Sequence, residues 1–258
     1  MNKEIFLLKK ENADFIKKTY KNKIINFNEE KIITQNGIKV FLNEKIIKYN
    51  FNKVHENLND KYFFIVNKII PRVINLAYKN IFNEDNHKID ETKIYLIFSK
   101  ISERINNYFS FIFDRNEELF KFDSLFLIAY ILISFIKSYV LINRNKKFIF
   151  SLFVSLLLYF SNIELLRKYE SESFIELNVK KIDEWIYLSI NNNDDILLKS
   201  IIDFILDNGI IINKETDTEF DLNDEDRFNI QISLIEKKYD ESEYKNIIME
   251  IIDNISDE

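Results

Sequence analysis

The sequence has no cysteine, two glycines, one proline and two histidines among its 258 residues. Without cysteine, disulfide scaffolds, thiolate zinc sites, iron–sulfur clusters and cysteine nucleophiles are excluded. Two glycines exclude the glycine-rich loops that cradle phosphates in dinucleotide-binding and P-loop proteins. Two histidines cannot form a three-histidine metal site. The composition therefore removes the metal, redox and nucleotide-binding classes that are easiest to recognise in a sequence.

The shortage of glycine and proline also bears on the fold. Sandwiches and barrels need many tight turns that usually recruit these residues, so their scarcity favours long helices joined by short polar links. With 47% hydrophobic residues, the chain can bury a substantial core. We predict a mostly α fold, a multi-helix bundle or irregular helical stack with a small β-hairpin or sheet component. Residues 1–258 are expected to form one compact domain, with a weak seam near residue 209 and residues 210–258 as a small C-terminal α/β extension.

The N-terminal part combines helical and β patterns. Residues 4–22 predict a first helix or two, with Asn12 as a candidate N-cap. Between residues 31 and 42, Asn36-Gly37 separates two β-branched runs, and this dipeptide supplies the positive φ angles of a tight hairpin turn. We therefore predict a β-hairpin, which must pack on other elements because an isolated hairpin is only marginally stable in water.

Apolar residues spaced three and four apart predict helices over residues 54–82 and 90–113. Pro71 should kink the first of these helices or start a second one, because proline lacks the amide hydrogen that a helix interior requires. At least two helices therefore precede the most hydrophobic part of the chain.

Residues 124–136 and 148–163 are uncharged and strongly apolar, and the basic residues 144–147 lie between them. One interpretation is a pair of membrane spans, but a span needs about 20 apolar residues and both uncharged runs are shorter. The other interpretation is a buried helical hairpin that neighbouring elements cover on all sides. We favour the buried hairpin and keep membrane association through residues 124–163 as the disfavoured alternative.

Capping patterns mark the elements that follow. Ser161-Asn-Ile-Glu164 predicts a break in the second apolar helix, and Ser173-Phe-Ile-Glu176 predicts the start of a helix that runs to about Ile190. Asn193 should cap a further helix over residues 194–207. Gly209 should end that helix in the left-handed conformation. The first of these two helices has an apolar side formed by Ile182, Trp185 and Ile186.

After Gly209 the pattern changes. Residues 210–212 are a short β-branched run, and residues 215–226 are acidic and predict a solvated loop. Residues 228–235 alternate apolar and polar, which favours a strand, but they fit a helix equally well because acidic residues precede them and lysines follow. The spacing of isoleucines predicts a final amphipathic helix over residues 240–255.

Two stretches resemble metal-binding motifs in part, and each lacks residues that the motif requires. His55-Glu56 begins a zinc-protease motif, but Asn59 stands where the second histidine ligand belongs. Carboxylates alternate from Asp217 onward as in a calcium loop, but Leu222 replaces the required glycine and Phe228 the required glutamate. We therefore predict no metal and no cofactor.

Protein binding is the function that these observations favour. We expect a non-catalytic interaction protein, such as an inhibitor, immunity-type protein or adaptor, that binds another protein and occludes it. The net charge of −6 disfavours nucleic acid as a partner, and the cysteine-free composition fits a cytoplasmic location. Two alternatives stay open, an enzyme with a dispersed Asp/Glu site in a helical pocket and a membrane-associated helical hairpin protein. The predicted contact surface is the acidic loop, through Asp217, Glu219, Asp221, Asp224, Glu225 and Asp226.

Overall fold

The computed structural model of the chain describes residues 4–9, 11–20, 24–27, 31–34, 39–41, 70–81, 96–97, 99–100, 103, 123–138, 145–161, 163–166, 171–213, 233–234, 236–237 and 239–256. Most of these residues are helical, and a smaller part forms strands. The predicted mostly α fold with a smaller β component is therefore confirmed.

Seven helices account for most of the residues that the structure describes. Pro71 lies in the first turn of the second helix, where its missing amide hydrogen costs no intrahelical bond. This position agrees with the prediction that Pro71 starts a helix. The helices are α1 Asn12–Tyr20, α2 Ile70–Lys79, α3 Asp123–Ile136, α4 Asn145–Ser161, α5 Ser171–Ile190, α6 Asp194–Asn208 and α7 Glu243–Asn254.

Six strands in the described ranges form one sheet. They are β1 Glu4–Leu7, β2 Ile24–Phe27, β3 Lys31–Thr34, β4 Lys39–Phe41, β5 Ile163–Leu165 and β6 Gly209–Asn213. Their spatial order is β2-β3-β4-β1-β6-β5, with β1 and β4 parallel and the other neighbours antiparallel. The sheet thus joins N-terminal strands to two strands from the second half of the chain.

The predicted hairpin is confirmed. Strands β3 and β4 pair antiparallel, with Ile32 opposite Val40 and Ile33 opposite Lys39. Val40 is fully buried, so the hairpin is anchored in the core as an isolated hairpin could not be. Its predicted turn, Asn36-Gly37, lies outside the described residues.

The expectation of helix from residue 4 onward is wrong for residues 4–7, which form β1. This run is four residues long, and apolar periodicity cannot separate so short a strand from a helical turn. Pairing decides the outcome, because β1 lies between β4 and β6 and bonds to both. The helix begins only at Asn12.

The sheet is covered on both faces. On one face, Ala13 and Ile16 of α1 pack with Ile5 and Ile210. On the other face, Ile211 joins the main helical core. Successive residues of a strand point to opposite faces, so β6 contributes to both layers.

Helices α3 and α4 form the centre of the helical core. Every residue from Phe148 to Tyr159 is buried, and α2, α3, α5 and α7 all pack against α4. The favoured interpretation of this region, a pair of buried helices, matches its burial. Within the described part of the chain, the search for a helix long and apolar enough to cross a membrane finds none.

The predicted boundaries of the later helices agree with the structure. Helix α4 ends at Ser161 and β5 follows at Ile163, which is the predicted break. Helix α5 ends at Ile190, as predicted, and buries Trp185 completely. Asn193 precedes α6 as predicted, although its side chain makes no capping hydrogen bond.

Gly209 does not end α6 in the left-handed conformation, so that expectation is wrong. Its φ of −89° and ψ of 149° are extended, and it is the first residue of β6. The requirement for glycine is spatial, because a Cβ here would lie 2.6 Å from the Ile205 carbonyl oxygen and 2.7 Å from Leu8 Cδ1. Close approach of the chain, and not a positive φ, explains this residue.

Buried polar contacts attach the C-terminal residues to the core. The Leu165 amide donates a hydrogen bond to the hydroxyl of Tyr244 in α7 (3.0 Å). Asn80 Nδ2 donates to the Tyr239 hydroxyl (3.3 Å) and to Ser151 Oγ (3.1 Å). Burial raises the pKa of both tyrosines, which keeps their hydroxyls protonated.

For residues 228–235 the sequence favoured a strand and a helix equally. Only Ser233 and Leu234 of this segment belong to the described part of the structure. Ser233 and Leu234 are both helical, which favours the helical alternative at this end of the segment. The division of the chain into a main domain and an extension from residue 210 stays a prediction.

We expect Gly209→Ala to lower the free energy of unfolding by about 1–3 kcal/mol, as overpacking of a tight site does. The added methyl group would meet a backbone carbonyl that cannot move without disturbing the end of α6. Urea denaturation followed by the fluorescence of Trp185 measures the change. An unchanged midpoint would contradict the steric explanation.

Candidate protein interaction surface

The acidic residues predicted as the contact surface lie outside the described residues, so their role stays a prediction. They are Asp217, Glu219, Asp221, Asp224, Glu225 and Asp226. A second candidate surface, which the sequence patterns did not indicate, lies on the two helices that precede β6.

Residues 171–208, here called the α5–α6 hairpin, carry eight carboxylates against three lysines, a net charge of −5. Residues 215–226 carry seven carboxylates and no lysine or arginine, so the hairpin is one of two strongly acidic segments of the chain. A concentrated charge of one sign attracts oppositely charged partners across about one Debye length, roughly 8 Å in physiological salt. The hairpin is therefore suited to a basic partner.

Large apolar side chains are exposed at the end of this acidic hairpin. Tyr187 is 67% exposed, Ile190 65% and Ile196 57%, and all three lie within six residues of the connection Asn191–Asn193. Single exposed apolar residues are normal on a protein surface, but a group of them indicates an interaction site. We call Tyr187, Ile190 and Ile196 the tip patch.

A defined turn holds the tip patch in place. The amide of Asn193 donates to the Leu188 carbonyl and the amide of Asn192 to the Ser189 carbonyl, both at 3.2 Å. Asn192 has a φ of 55°, in the left-handed region. These bonds and this angle are those of the Schellman motif, which satisfies the last carbonyl groups of a helix.

Two ion pairs link the hairpin to the core helices. Lys137, which follows α3, lies 2.5 Å and 2.7 Å from the two carboxylate oxygens of Asp194. Lys146 in the first turn of α4 pairs with Asp183 at 2.9 Å. These contacts join the tip of the hairpin and the middle of α5 to the two central helices.

Three buried aromatic rings pack where the hairpin meets α4. Trp185 of α5 meets Phe153 of α4 at a centroid distance of 5.1 Å and Phe204 of α6 at 5.6 Å, both nearly edge to face. Such pairs stabilise beyond the burial of their area, by about 0.5–1.5 kcal/mol each. The hairpin is thus a firmly supported platform.

An open groove of about 600 Å³ runs between the start of α1 and the facing sides of α5 and α6. Ile196 of the tip patch also lines the groove. Leu177 and Phe204 add apolar wall, and charged side chains from all three helical segments line the rest.

A polar network lies along the α5 and α6 walls. Glu184 accepts hydrogen bonds from Lys181 Nζ (2.7 Å) and from Ser200 Oγ (2.8 Å), and Ser200 Oγ accepts one from Trp185 Nε1 (3.1 Å). Partial burial raises the pKa of Glu184, but the bonds from Lys181 and Ser200 together outweigh it, so the pKa lies below its ordinary value. Glu184 is therefore ionised at neutral pH.

The opposite end of the groove is acidic around one lysine. Lys9 is hydrogen-bonded to Asp207, and Glu11 and Asp203 also act on it electrostatically. The bond to Asp207 is the largest cause of the raised pKa of Lys9. Asn12 lines the same groove with only 3% of its surface exposed, and its Nδ2 has no hydrogen-bond acceptor among the described residues.

The described residues contain no group of three or more histidine, cysteine, aspartate or glutamate side chains arranged to hold a metal ion. The comparisons with known proteins give no lead on function. No protein-family model, no curated protein and no solved structure matches the chain.

The tip patch could have been found from two signals in the sequence. One is the net charge of residues 171–208 taken as a separate segment. The other is that Tyr187 falls outside the apolar side formed by Ile182, Trp185 and Ile186, whereas Ile190 continues that side one turn further on. Exposure itself could not be read from the sequence, since it depends on which neighbours cover the helix.

We expect Asn192→Val to lower the free energy of unfolding by about 1–2 kcal/mol, because a β-branched residue is strained in the left-handed region. Asn192→Gly is the matched control and should change it by less than about 0.5 kcal/mol. Urea denaturation followed by the fluorescence of Trp185 compares the two variants. Equal losses in both variants would contradict the role given to the backbone angle.

Proposed function

We propose that this chain is a non-catalytic interaction protein that binds another protein through the tip of the α5–α6 hairpin and occludes it. The observation that carries the proposal is the tip patch, a set of exposed apolar side chains at the end of an acidic helical hairpin. A group of exposed large apolar side chains is typical of an interaction site.

The composition of this surface supports the proposal. Protein interfaces combine an apolar centre with a polar rim, and tyrosine is enriched among the residues that contribute most of the binding energy. Tyr187, Ile190 and Ile196 supply the apolar centre, and the carboxylates of the hairpin supply the rim. The negative charge would speed association with a basic protein and disfavours nucleic acid.

The hydrogen bonds to Glu184 make this groove carboxylate unsuited to act as a general acid. Glu184 is a central carboxylate of the groove, and both of its oxygens accept hydrogen bonds. Its lowered pKa keeps it ionised, whereas a general acid needs a raised pKa and a proton to give. The proposal also places the protein in the cytoplasm, which its cysteine-free composition fits.

The test is quantitative capture of a partner from an extract of the source cells by immobilised protein. We expect wild type to retain one partner stoichiometrically and the double variant Tyr187→Asp, Ile190→Asp to retain at least about tenfold less, as loss of central interface residues does. Leu96→Asp is the matched control, because Leu96 is 55% exposed and lies outside the hairpin. This control should bind like wild type.

Two results would overturn the proposal. The first is that wild type retains no stoichiometric partner. The second is that the double variant and the control retain the partner equally well, which would place the contact elsewhere. Circular dichroism of each variant checks that the fold is unchanged, as expected for substitutions of exposed side chains.

A further inference from the structure

The three residues of the tip patch lie on different sides of the α5–α6 hairpin. Ile196 lines the groove between the start of α1 and the facing sides of α5 and α6, and Lys181 of α5 lines the same groove. Ile190 follows Lys181 by nine residues, which is roughly two and a half turns of helix at about 3.6 residues per turn. Ile190 therefore lies on the side of α5 away from the groove, and the hairpin separates it from Ile196.

Tyr187 lies on the outer face, between these two sides. It follows the fully buried Trp185 by two residues, a rotation of roughly 200° around the helix axis, and 67% of it is exposed. The connection Asn191–Asn193 forms the top of the hairpin, and each of its three residues is exposed. Exposed apolar side chains are thus distributed around the tip on the groove side, the outer face and the far side.

The charge at the tip is negative. Asp195, next to Ile196, is exposed and forms no ion pair with the described residues. Three lysines from outside the hairpin pair with it, Lys9, Lys137 and Lys146, and the hairpin stays negative when their charges are added. An unpaired carboxylate beside apolar residues is complemented by a lysine or arginine at the rim of the partner's surface.

A flat surface cannot contact every side of a projecting tip. A partner that lay against the outer face would reach Tyr187 and at most one of Ile190 and Ile196, because these two isoleucines are on opposite sides of the hairpin. A concave surface can cover all three residues at once. Apolar clefts are the places where proteins bind their ligands, so a tip that fills such a cleft excludes the ligand.

We infer that the tip of the hairpin inserts into an apolar cleft of the partner protein, with Ile190 and Ile196 against opposite walls and a basic residue of the rim beside Asp195. The defined turn at Asn192 and the ion pairs to the core helices suit the hairpin to this role, because a preformed element loses little conformational entropy on binding. This inference rests on the proposed function for its partner and adds the shape of the surface that the partner presents.

Single variants in the capture experiment test the two walls separately. We expect Ile190→Asp and Ile196→Asp each to retain at least about tenfold less partner from an extract of the source cells than wild type does, as loss of central interface residues implies. Leu96→Asp is the matched control, because Leu96 is exposed outside the hairpin, and it should bind like wild type. Circular dichroism of each variant checks that the fold is unchanged.

Crosslinking measures the same contacts directly. The chain has no cysteine, so Tyr187→Cys, Ile190→Cys and Ile196→Cys each provide a single attachment point for benzophenone maleimide. After irradiation in the same extract, we expect all three labelled variants to crosslink to one protein of the same mass. Leu96→Cys is the matched control and should not crosslink to that protein.

The outcomes separate this inference from the proposed function. If either experiment implicates only one of Ile190 and Ile196, the contact is one-sided, so the cleft inference is wrong and the proposed function stands. If both single variants keep the partner fully and none of the three labelled positions crosslinks to it, the partner binds elsewhere and both are wrong. If wild type captures no stoichiometric partner, the proposed function is wrong and this inference is overturned with it.

Discussion

The fold depends on covering one helix that is apolar on every side. Every side chain of α4 from Phe148 to Tyr159 is buried, and such a helix cannot face water on any side. Helices α2, α3, α5 and α7 pack against it, and β5 follows directly from its C-terminal end. Its two buried serines are hydrogen-bonded, since Ser155 Oγ donates to the Ser151 carbonyl and Ser151 Oγ donates to the Ala77 carbonyl of α2. Helices α2, α3, α5 and α7 are therefore each placed by the part of α4 that they cover.

The candidate surface follows from this arrangement. Helix α5 packs on α4, and α6 packs on α3 and α5, so each presents an apolar inner side. Trp185 and Phe204 occupy that inner side, and the outer side is left to carboxylates. The tip patch is the exception, since Tyr187, Ile190 and Ile196 are apolar but remain largely exposed to solvent. A stable platform with exposed apolar residues at its end is what an interaction protein requires.

Elements with a strong apolar periodicity, or with residues typical of helix ends and tight turns, could be predicted from the sequence. The break at Ser161 and the pairing of β3 with β4 are examples, because a capping pattern and an Asn-Gly dipeptide act over a few residues. The prediction was wrong at residues 4–7, where the partner strands β4 and β6 decide the structure. It was wrong at Gly209 for the same reason, since the groups that exclude a side chain include Leu8, far away in sequence. The exposure of Tyr187 is also set by tertiary packing.

The most direct test of the central claim is amide hydrogen exchange of the full chain with and without the captured partner. The account predicts that slower exchange on binding is concentrated in residues 184–197, which contain the tip patch and its turn. Exchange that is unchanged in these residues while another part of the chain becomes protected would contradict it.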